Sequence, residues 1–361
     1  MFSLQDKHLA EEIVSRIKKQ DVRLRFMHVC GTHQDTLIKN GLDSVLQSCG
    51  ITVGQGPGCP VCVTTPKEIE EILLLARKGT TVATFGDMIR VPGETASLQQ
   101  LKADGCDVRT VYSIDDAVKL AEKNPAKDVV FMAVGFETTA PTTASVLLRE
   151  DPPSNFSVLS CHRVIPPALH ALLEMGEIKI DGFIEPGHVS TIIGLQPYES
   201  LSSRYHIPQV VAGFEPLDLL MAVWMLVRQV KAGDARVENE YARAVKPEGN
   251  VKAQQVMETV FTHADMKWRG FPVLPKSGLL LRKKYETYDA RKKYEDELSE
   301  IKEKEFPDPV GCLCGEVLRG LISSRECPLF GGQCTPDSPV GPCMVSVEGS
   351  CTIEYRYAKK K

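Results

Sequence analysis

The feature that most constrains this chain of 361 residues is a local grammar that recurs through its first two-thirds: a short apolar strand, a turn rich in Gly, Pro or Thr, then a helix. LRFMHVC runs into GTHQDTLI, TVATFGD into MIRVPG, DVVFMAVGF into ETTAPTTASVLL, FSVLSC into HRVIPPALHALLEM, DGFIEPG into HVSTII, and PQVVAGF into EPLDLLMAVWMLV. Apolar strands alternating with helices predict an α/β fold with parallel sheets covered by helices. Thr65-Pro66-Lys67-Glu68 carries an N-cap Thr, a Pro at the first helical position and a Glu at the third, and Ser113 with Asp116 forms a second such start. The likeness of AVGFETTAPTTA to VAGFEPLDLLMA points to related units without amounting to a sequence repeat. Ligands of parallel sheets sit beyond the carboxyl ends of strands. Cys30, Asp87, Glu137, His162, His188 and Glu215 all fall at or just past predicted strand ends.

After about residue 230 the grammar changes. Residues 236–262 read as helix, interrupted around Pro247-Glu248-Gly249, and residues 285–305 as a highly charged, solvated surface helix. From Phe306 onward Cys, Pro and Gly dominate. A segment such as CPLFGGQCTPDSPVGPC cannot build much core alone, and a bound metal cluster would supply the missing order.

The net charge of -4 and pI near 6.1 give no reason to expect nucleic acid or an anionic membrane as partner. The longest apolar run, Leu219 to Val227, is about half of the roughly 20 residues a bilayer needs. The first segment is charged throughout and lacks a signal-peptide core, so the expected location is the cytoplasm. Twelve cysteines in a reducing compartment call for metal or redox chemistry rather than structural disulfides. Cys49, Cys106 and Cys161 stand apart from the rest and read as small buried apolar residues.

Three constellations carry chemistry. In Cys30-Gly31-Thr32-His33 a strand delivers a thiol to a helix N-terminus, where unpaired N–H groups favour thiolate, the form that binds soft metal or attacks disulfides. His33 adds a ligand or a proton carrier; the bland alternative is a buried Cys beside a capping His. In Gly56-Pro57-Gly58-Cys59-Pro60-Val61-Cys62 a stiff loop presents a CxxC pair, which can close a redox-active disulfide, chelate one metal or form part of a zinc knuckle. Finally, Cys312, Cys314, Cys327, Cys334, Cys343 and Cys351 offer enough thiolates for a [4Fe–4S] cluster. Zinc is the rival, but zinc sites favour close CxxC pairs, and only Cys312 and Cys314 are close. Asp87 in FGDMIRVPG is placed to orient a His or carry a proton; Glu137, His188 and Glu215 read equally well as local caps.

Together, MHVCGTHQDTL, GQGPGCPVCVTTP, TFGDMIRVPG, AVGFETTAPTTA, SCHRVIPPAL, EPGHVSTIIG, VAGFEPLDLL, PKSGLLLRKKYETYDA and CPLFGGQCTPDSPVGPCMVSVEGSC resemble the HypD hydrogenase maturation family, in order and from about Phe26 to Tyr357. The resemblance implies two similar α/β domains, taken here as 22–112 and 113–230, and a third, mostly helical or irregular domain (1–21 and 231–361) with a [4Fe–4S] cluster. It implies a scaffold that binds a HypC-type chaperone and accepts cyanide from a HypE-type donor to build the Fe(CN)2CO unit of nickel–iron hydrogenases. The transient iron would sit at Cys30, and Cys59 and Cys62 would form the redox-active pair. The family's Cys-x14-Cys-x6-Cys-x16-Cys spacing maps onto Cys312, Cys327, Cys334 and Cys351, leaving Cys314 and Cys343 spare. The competing readings are a stand-alone iron–sulfur thiol–disulfide oxidoreductase and a zinc-stabilised binding module.

Overall fold

Every strand of the recurring grammar forms, but the strands assemble into sheets out of chain order. The computed structural model describes residues 6–149 and 152–357. Its strands are β1 (Leu24–His28), β2 (Ile51–Gln55), β3 (Thr81–Thr84), β4 (Val108–Thr110), β5 (Val129–Gly135), β6 (Phe156–His162), β7 (Gly182–Pro186), β8 (Gln209–Ala212), β9 (Val237–Asn239), β10 (Phe261–Lys267) and β11 (Val273–Leu281). One sheet has five parallel strands in the order β2-β1-β7-β8-β9, and the other has four in the order β4-β3-β5-β6. Every residue of β3, β5, β6, β7 and β8 is buried, as strands covered on both faces require. The α/β class with two parallel sheets is therefore the observed architecture.

The two sheets share one wiring. In each, the first two strands in chain order lie on one side and the next two on the other, so strand order reverses between β1 and β7 and again between β3 and β5. Such reversal points open a crevice at the carboxyl ends, because the connections on either side leave in opposite directions. The two similar segments, AVGFETTAPTTA and VAGFEPLDLLMA, do not occupy equivalent places: one follows β5, third of its sheet in chain order, and the other β8, fourth of its sheet.

The expected divisions at 112/113 and 230/231 do not coincide with the sheets. β1 and β2 pair with β7, β8 and β9, while β3 to β6 form the second sheet between them. Helix Lys7–Lys18, expected with the C-terminal segment, buries Ile13 and Ile17 against Phe26, Ile184 and Leu220 of the five-stranded unit. Hairpin β10–β11 places Phe261 and Leu279 in a core with Phe131 and Phe156 of the four-stranded unit. A third core joins both sheets to the C-terminal cysteine segment through Met27, Met132, Phe183, Cys62 and Cys343. Burial of apolar side chains, which ignores chain order, decides these memberships.

Two local readings change. Residues 236–262 are not one interrupted helix: β9 extends the five-stranded sheet before helix Val251–Val260 leads into β10. Residues 285–305 are short helical pieces, Lys283–Tyr288, Ala290–Lys293 and Glu295–Ser299, instead of one solvated helix. Tyr285, Ala290, Tyr294, Leu298 and Ile301 are buried, and Arg291 pairs with Glu71 at 2.8 Å, so the charged segment is strapped onto the core. The caps at Thr65 and Ser113 form as the sequence indicates, Thr65 in a full capping box with Glu68.

Candidate thiol and metal centre

Cys30 lies two residues past β1, at the reversal point beside β7, and occupies the N-cap position of helix Gly31–Lys39 in extended conformation. Its sulfur lies 3.8 Å from Nδ1 of His188, in the helix that follows β7. The imidazole at the thiol is thus His188 and not the sequence neighbour His33. His33 is fully buried, bonds the Gly213 carbonyl through Nε2 at 2.9 Å and packs on Phe214. Burial, with His28 and His188 nearby, holds it well below the usual histidine range. Burial alone holds His188 neutral, at about 4.

The expected thiolate at Cys30 is overturned by its surroundings. Cys30 is 1% exposed, and burial, followed by the charge of Glu348, pushes its thiol up to about 12. The N–H groups of Thr32 and His33 pull the other way, but one helix end cannot offset full desolvation. Glu348 reaches this position because Gly31 has no side chain: a Cβ there would overlap the Glu348 backbone and Cβ. Asp87 does not meet a histidine. It accepts hydrogen bonds from the Ser346 hydroxyl (3.0 Å) and the Val347 N–H (3.1 Å), tethering the turn that carries Glu348.

The CPVC loop is pressed against the end of β1. Gly56 N–H donates to the His28 carbonyl at 2.8 Å, and a Cβ at Gly58 would overlap the Val29 carbonyl and Cys30 nitrogen. Only glycine allows that approach. Cys59 and Cys62 form a disulfide, both wholly buried, with Cys62 N–H donating to Cys59 Sγ at 3.1 Å. The short helix Pro60–Val63 packs on the turn Pro342–Met344 and helix Cys314–Leu318. The disulfide therefore stands between the Cys30 strand end and the C-terminal cysteines.

Cys312, Cys314, Cys327, Cys334 and Cys351 line one narrow pocket. Cys343, fully buried, touches Cys314 and Cys351 from behind the wall. Hydrogen bonds donated by Cys312 and Cys343 push the Cys314 thiol down, Arg269 adding to the effect, while Cys312 moves up in consequence. Burial pushes the Cys334 thiol up, and the Val340 N–H, donating to its Sγ at 3.4 Å, opposes that only in part. A Cβ on Gly341 would lie 2.6 Å from Cys312 Sγ and 3.0 Å from Cys314 Sγ, so the chain gives up a side chain to admit the sulfurs. Among the described residues no three His, Cys, Asp or Glu side chains gather closely enough to hold a single ion. A spread cradle of soft donors with backbone N–H support fits a multi-iron cluster, whose ligands attach at separate metal atoms. Cys314 shares the pocket wall with the four cysteines singled out by spacing, and the spacing pattern gives no sign of this.

Two more groups were not picked out as site residues. Glu185, on β7, is fully buried with neither carboxyl oxygen hydrogen-bonded, and Glu348 stands beside Cys30. Glu185 opens the stretch EPGHVS, and an acid inside a buried strand is itself a signal. Glu348 had none, since its position depends on a fold-back across the whole chain.

Fold and site together define a two-sheet α/β thiol protein, with a strand-end cysteine, a buried disulfide and a cysteine-lined pocket packed in series. The chain belongs to the HypD family, described as the hydrogenase formation hypA family, which it matches over residues 5–358. It is 51% identical to a putative hydrogenase expression/formation protein of Methanocaldococcus jannaschii, over 99% of this chain and 100% of the relative. It is 42% identical to hydrogenase maturation factor HypD of Escherichia coli K12, over 98% and 95%, and 41% identical to that of Cupriavidus necator, over 99% and 96%. Among the described residues no helix is long and apolar enough to cross a membrane.

Proposed function

We propose that the protein serves hydrogenase maturation as the scaffold and redox protein on which the Fe(CN)2CO unit of nickel–iron hydrogenases is assembled. Its family and the names of its relatives support the maturation role. The observation that carries the finer reading is the serial packing of Cys30, the Cys59–Cys62 disulfide and the cysteine pocket.

The iron is cargo, held at Cys30 together with a HypC-type chaperone, and a HypE-type protein brings the cyanide. A soft thiolate suits low-spin, electron-rich iron. Cys30 rests as a neutral thiol, and the metal's charge displaces its proton on binding. The near-complete burial around it excludes water and competing thiols. Cys59 and Cys62, held against the same strand end, take up two electrons and two protons as their S–S bond opens and return them as it closes. Cys312, Cys327, Cys334 and Cys351 would hold a [4Fe–4S] cluster, which when bound supplies single electrons at low potential. Ten free cysteines suit a reducing compartment, which supports the cytoplasm as its location.

A stand-alone thiol–disulfide oxidoreductase is the weaker reading, because exchange requires a substrate thiolate to reach a disulfide sulfur and both sulfurs here are buried. The test is anaerobic co-purification with a HypC-type partner, followed by infrared spectroscopy. Cyanide and carbonyl bands are expected on the complex and absent from Cys30→Ala, Cys59→Ala and Cys62→Ala. Undiminished bands in Cys30→Ala overturn the assignment of the iron.

A further inference from the structure

Cys30 is 1% exposed, yet the reading above brings an iron to it, so some part of its enclosure must open. Two of its walls are backbone. The CPVC loop presses Gly58 against Val29 and Cys30, and the turn that carries Glu348 lies over Gly31 and is tied to Asp87 through Ser346 and Val347. Backbone held in this way moves only by breaking the hydrogen bonds that hold it. The third wall is made of rings. His188 Nδ1 stands 3.8 Å from the Cys30 sulfur, and Phe214 stacks on His188 with ring centres 5.2 Å apart and planes 30° apart.

Phe214 belongs to the turn between β8 and helix Pro216–Ala232. Its main chain is anchored on both sides. Thr36 Oγ1 donates to the Phe214 carbonyl at 2.7 Å, and the preceding Gly213 accepts from His33 Nε2 through its carbonyl and donates its N–H to Glu240 at 3.1 Å. The ring also meets His33 at 5.1 Å and Tyr241 at 5.8 Å between centres. With the backbone fixed, side-chain rotation is the movement left to it.

The second observation is what lies beyond the ring. Half-buried Phe214 forms part of the wall of a cavity of about 570 Å³ between helices Lys7–Lys18, Gly31–Lys39 and Pro216–Ala232, which also meets Ala10, Thr36, Lys39, Asn40 and Leu220. Lys39 and Asn40 are exposed, so the cavity opens to solvent on that side. Sulfur, imidazole, phenyl ring and open cavity thus follow one another, each against the next.

We propose that Phe214 is a size-selective gate to Cys30: its ring closes the inner end of this cavity, and its rotation admits a metal ion or a ligand of two atoms while holding back bulky thiols and chelators. The proposal rests on the reading of Cys30 as the cargo ligand. No bond is made or broken as the ring turns.

The test uses two alkylating reagents with the same reactive group and different bulk, iodoacetamide and its fluorescein conjugate, on the anaerobic full-length protein, with labelling read at each cysteine by peptide mass spectrometry. Both react with the same thiolate, so the ratio of their rates at Cys30 reports access and is independent of the thiol's ionisation. The small reagent should lead at Cys30 in the wild type, and Phe214→Ala should cut that lead by roughly tenfold or more, because a close-packed wall loses a ring. Labelling of fully buried Cys161 should not rise, whereas a general loosening of the fold would raise it too. Phe214→Tyr should keep the wild-type ratio. Asn40→Trp, at the exposed rim, should plug the cavity and slow iodoacetamide at Cys30 several-fold; it disturbs no packed residue and decides the route even where Phe214→Ala fails to fold. An unchanged ratio in Phe214→Ala, an unslowed Cys30 in Asn40→Trp, or a Cys30 that neither reagent labels in any of these proteins overturns the gate. A Cys30→Ala complex that keeps its cyanide and carbonyl bands defeats the cargo reading alone, and the labelling ratio still decides whether Phe214 controls access.

Discussion

The Cys30 sulfur lies 3.8 Å from His188 Nδ1, although 158 residues separate the two in the chain. β1 and β7 are neighbours in the sheet, and the helices that follow them leave from the same crevice. The thiol, the imidazole and the Glu348 carboxyl therefore form one small environment whose charge state governs Cys30.

Glu348→Gln should speed modification of Cys30. Burial and then Glu348 raise the Cys30 thiol to about 12, so removing the negative charge lowers it and increases the thiolate fraction. Iodoacetamide labelling of the anaerobic protein, read by peptide mass spectrometry, should show several-fold faster labelling at Cys30 and unchanged labelling at Cys106. An unchanged Cys30 rate would contradict the electrostatic account.

Gly58→Ala should separate the CPVC loop from the end of β1. The new methyl group would overlap the Val29 carbonyl and Cys30 nitrogen, which are backbone atoms and cannot swing aside. Overpacking of this kind costs about 1–3 kcal/mol. Denaturant midpoints should fall accordingly.

Gly341→Ala should empty the cysteine pocket of iron without unfolding the sheets, because its Cβ would crowd Cys312 and Cys314 sulfur. Iron and sulfide content of anaerobically purified protein should drop to background in Cys312→Ser, Cys327→Ser, Cys334→Ser and Cys351→Ser. Cys314→Ser is expected to retain both. Loss in Cys314→Ser with retention in Cys312→Ser would exchange the roles of these two residues.

The Arg163–Glu68 pair, 2.6 Å apart and buried on both sides, should make the fold acid-sensitive. Burial alone would raise Glu68, but Arg163 and Arg291 outweigh it and the carboxyl is lowered below its ordinary value of 4.5. A carboxylate depressed in the folded state adds stability in full above its unfolded value, and that stability is lost as pH falls through the folded one. Denaturation should therefore become easier below about pH 4.5. Arg163→Met leaves Glu68 without its closest partner and should cost about 3–5 kcal/mol at neutral pH.

Glu137 gives the opposite sign. Burial raises it from 4.5 to about 7, so the folded state holds a proton that the unfolded state releases. Its contribution is complete below pH 4.5 and declines as pH rises to about 7, by roughly 3 kcal/mol. Glu137→Gln should flatten the stability profile across that interval, and a wild-type profile already flat there would reject the assignment.

The six strands of the recurring grammar, the two capped helices, the three cysteine groups and the α/β class are all determined by the sequence itself. Each depends on local physics: apolar runs of strand length, a Thr or Ser placed to receive a backbone N–H, and thiols clustered in a chain with little other means of ordering its tail. What the tertiary structure decided is adjacency. It placed β7 beside β1, which gives Cys30 His188 in place of His33; it folded residue 348 back over Gly31; and it turned Asp87 into a tether. It also reversed the Cys30 electrostatics, because a helix end acts over one turn whereas desolvation depends on everything packed around the thiol. The charged stretch 285–305 shows the same limit, since its five buried positions gain meaning only from the surface that receives them. Sheet order and burial are collective properties of segments far apart in the chain, and no local pattern encodes which strand lies next to which.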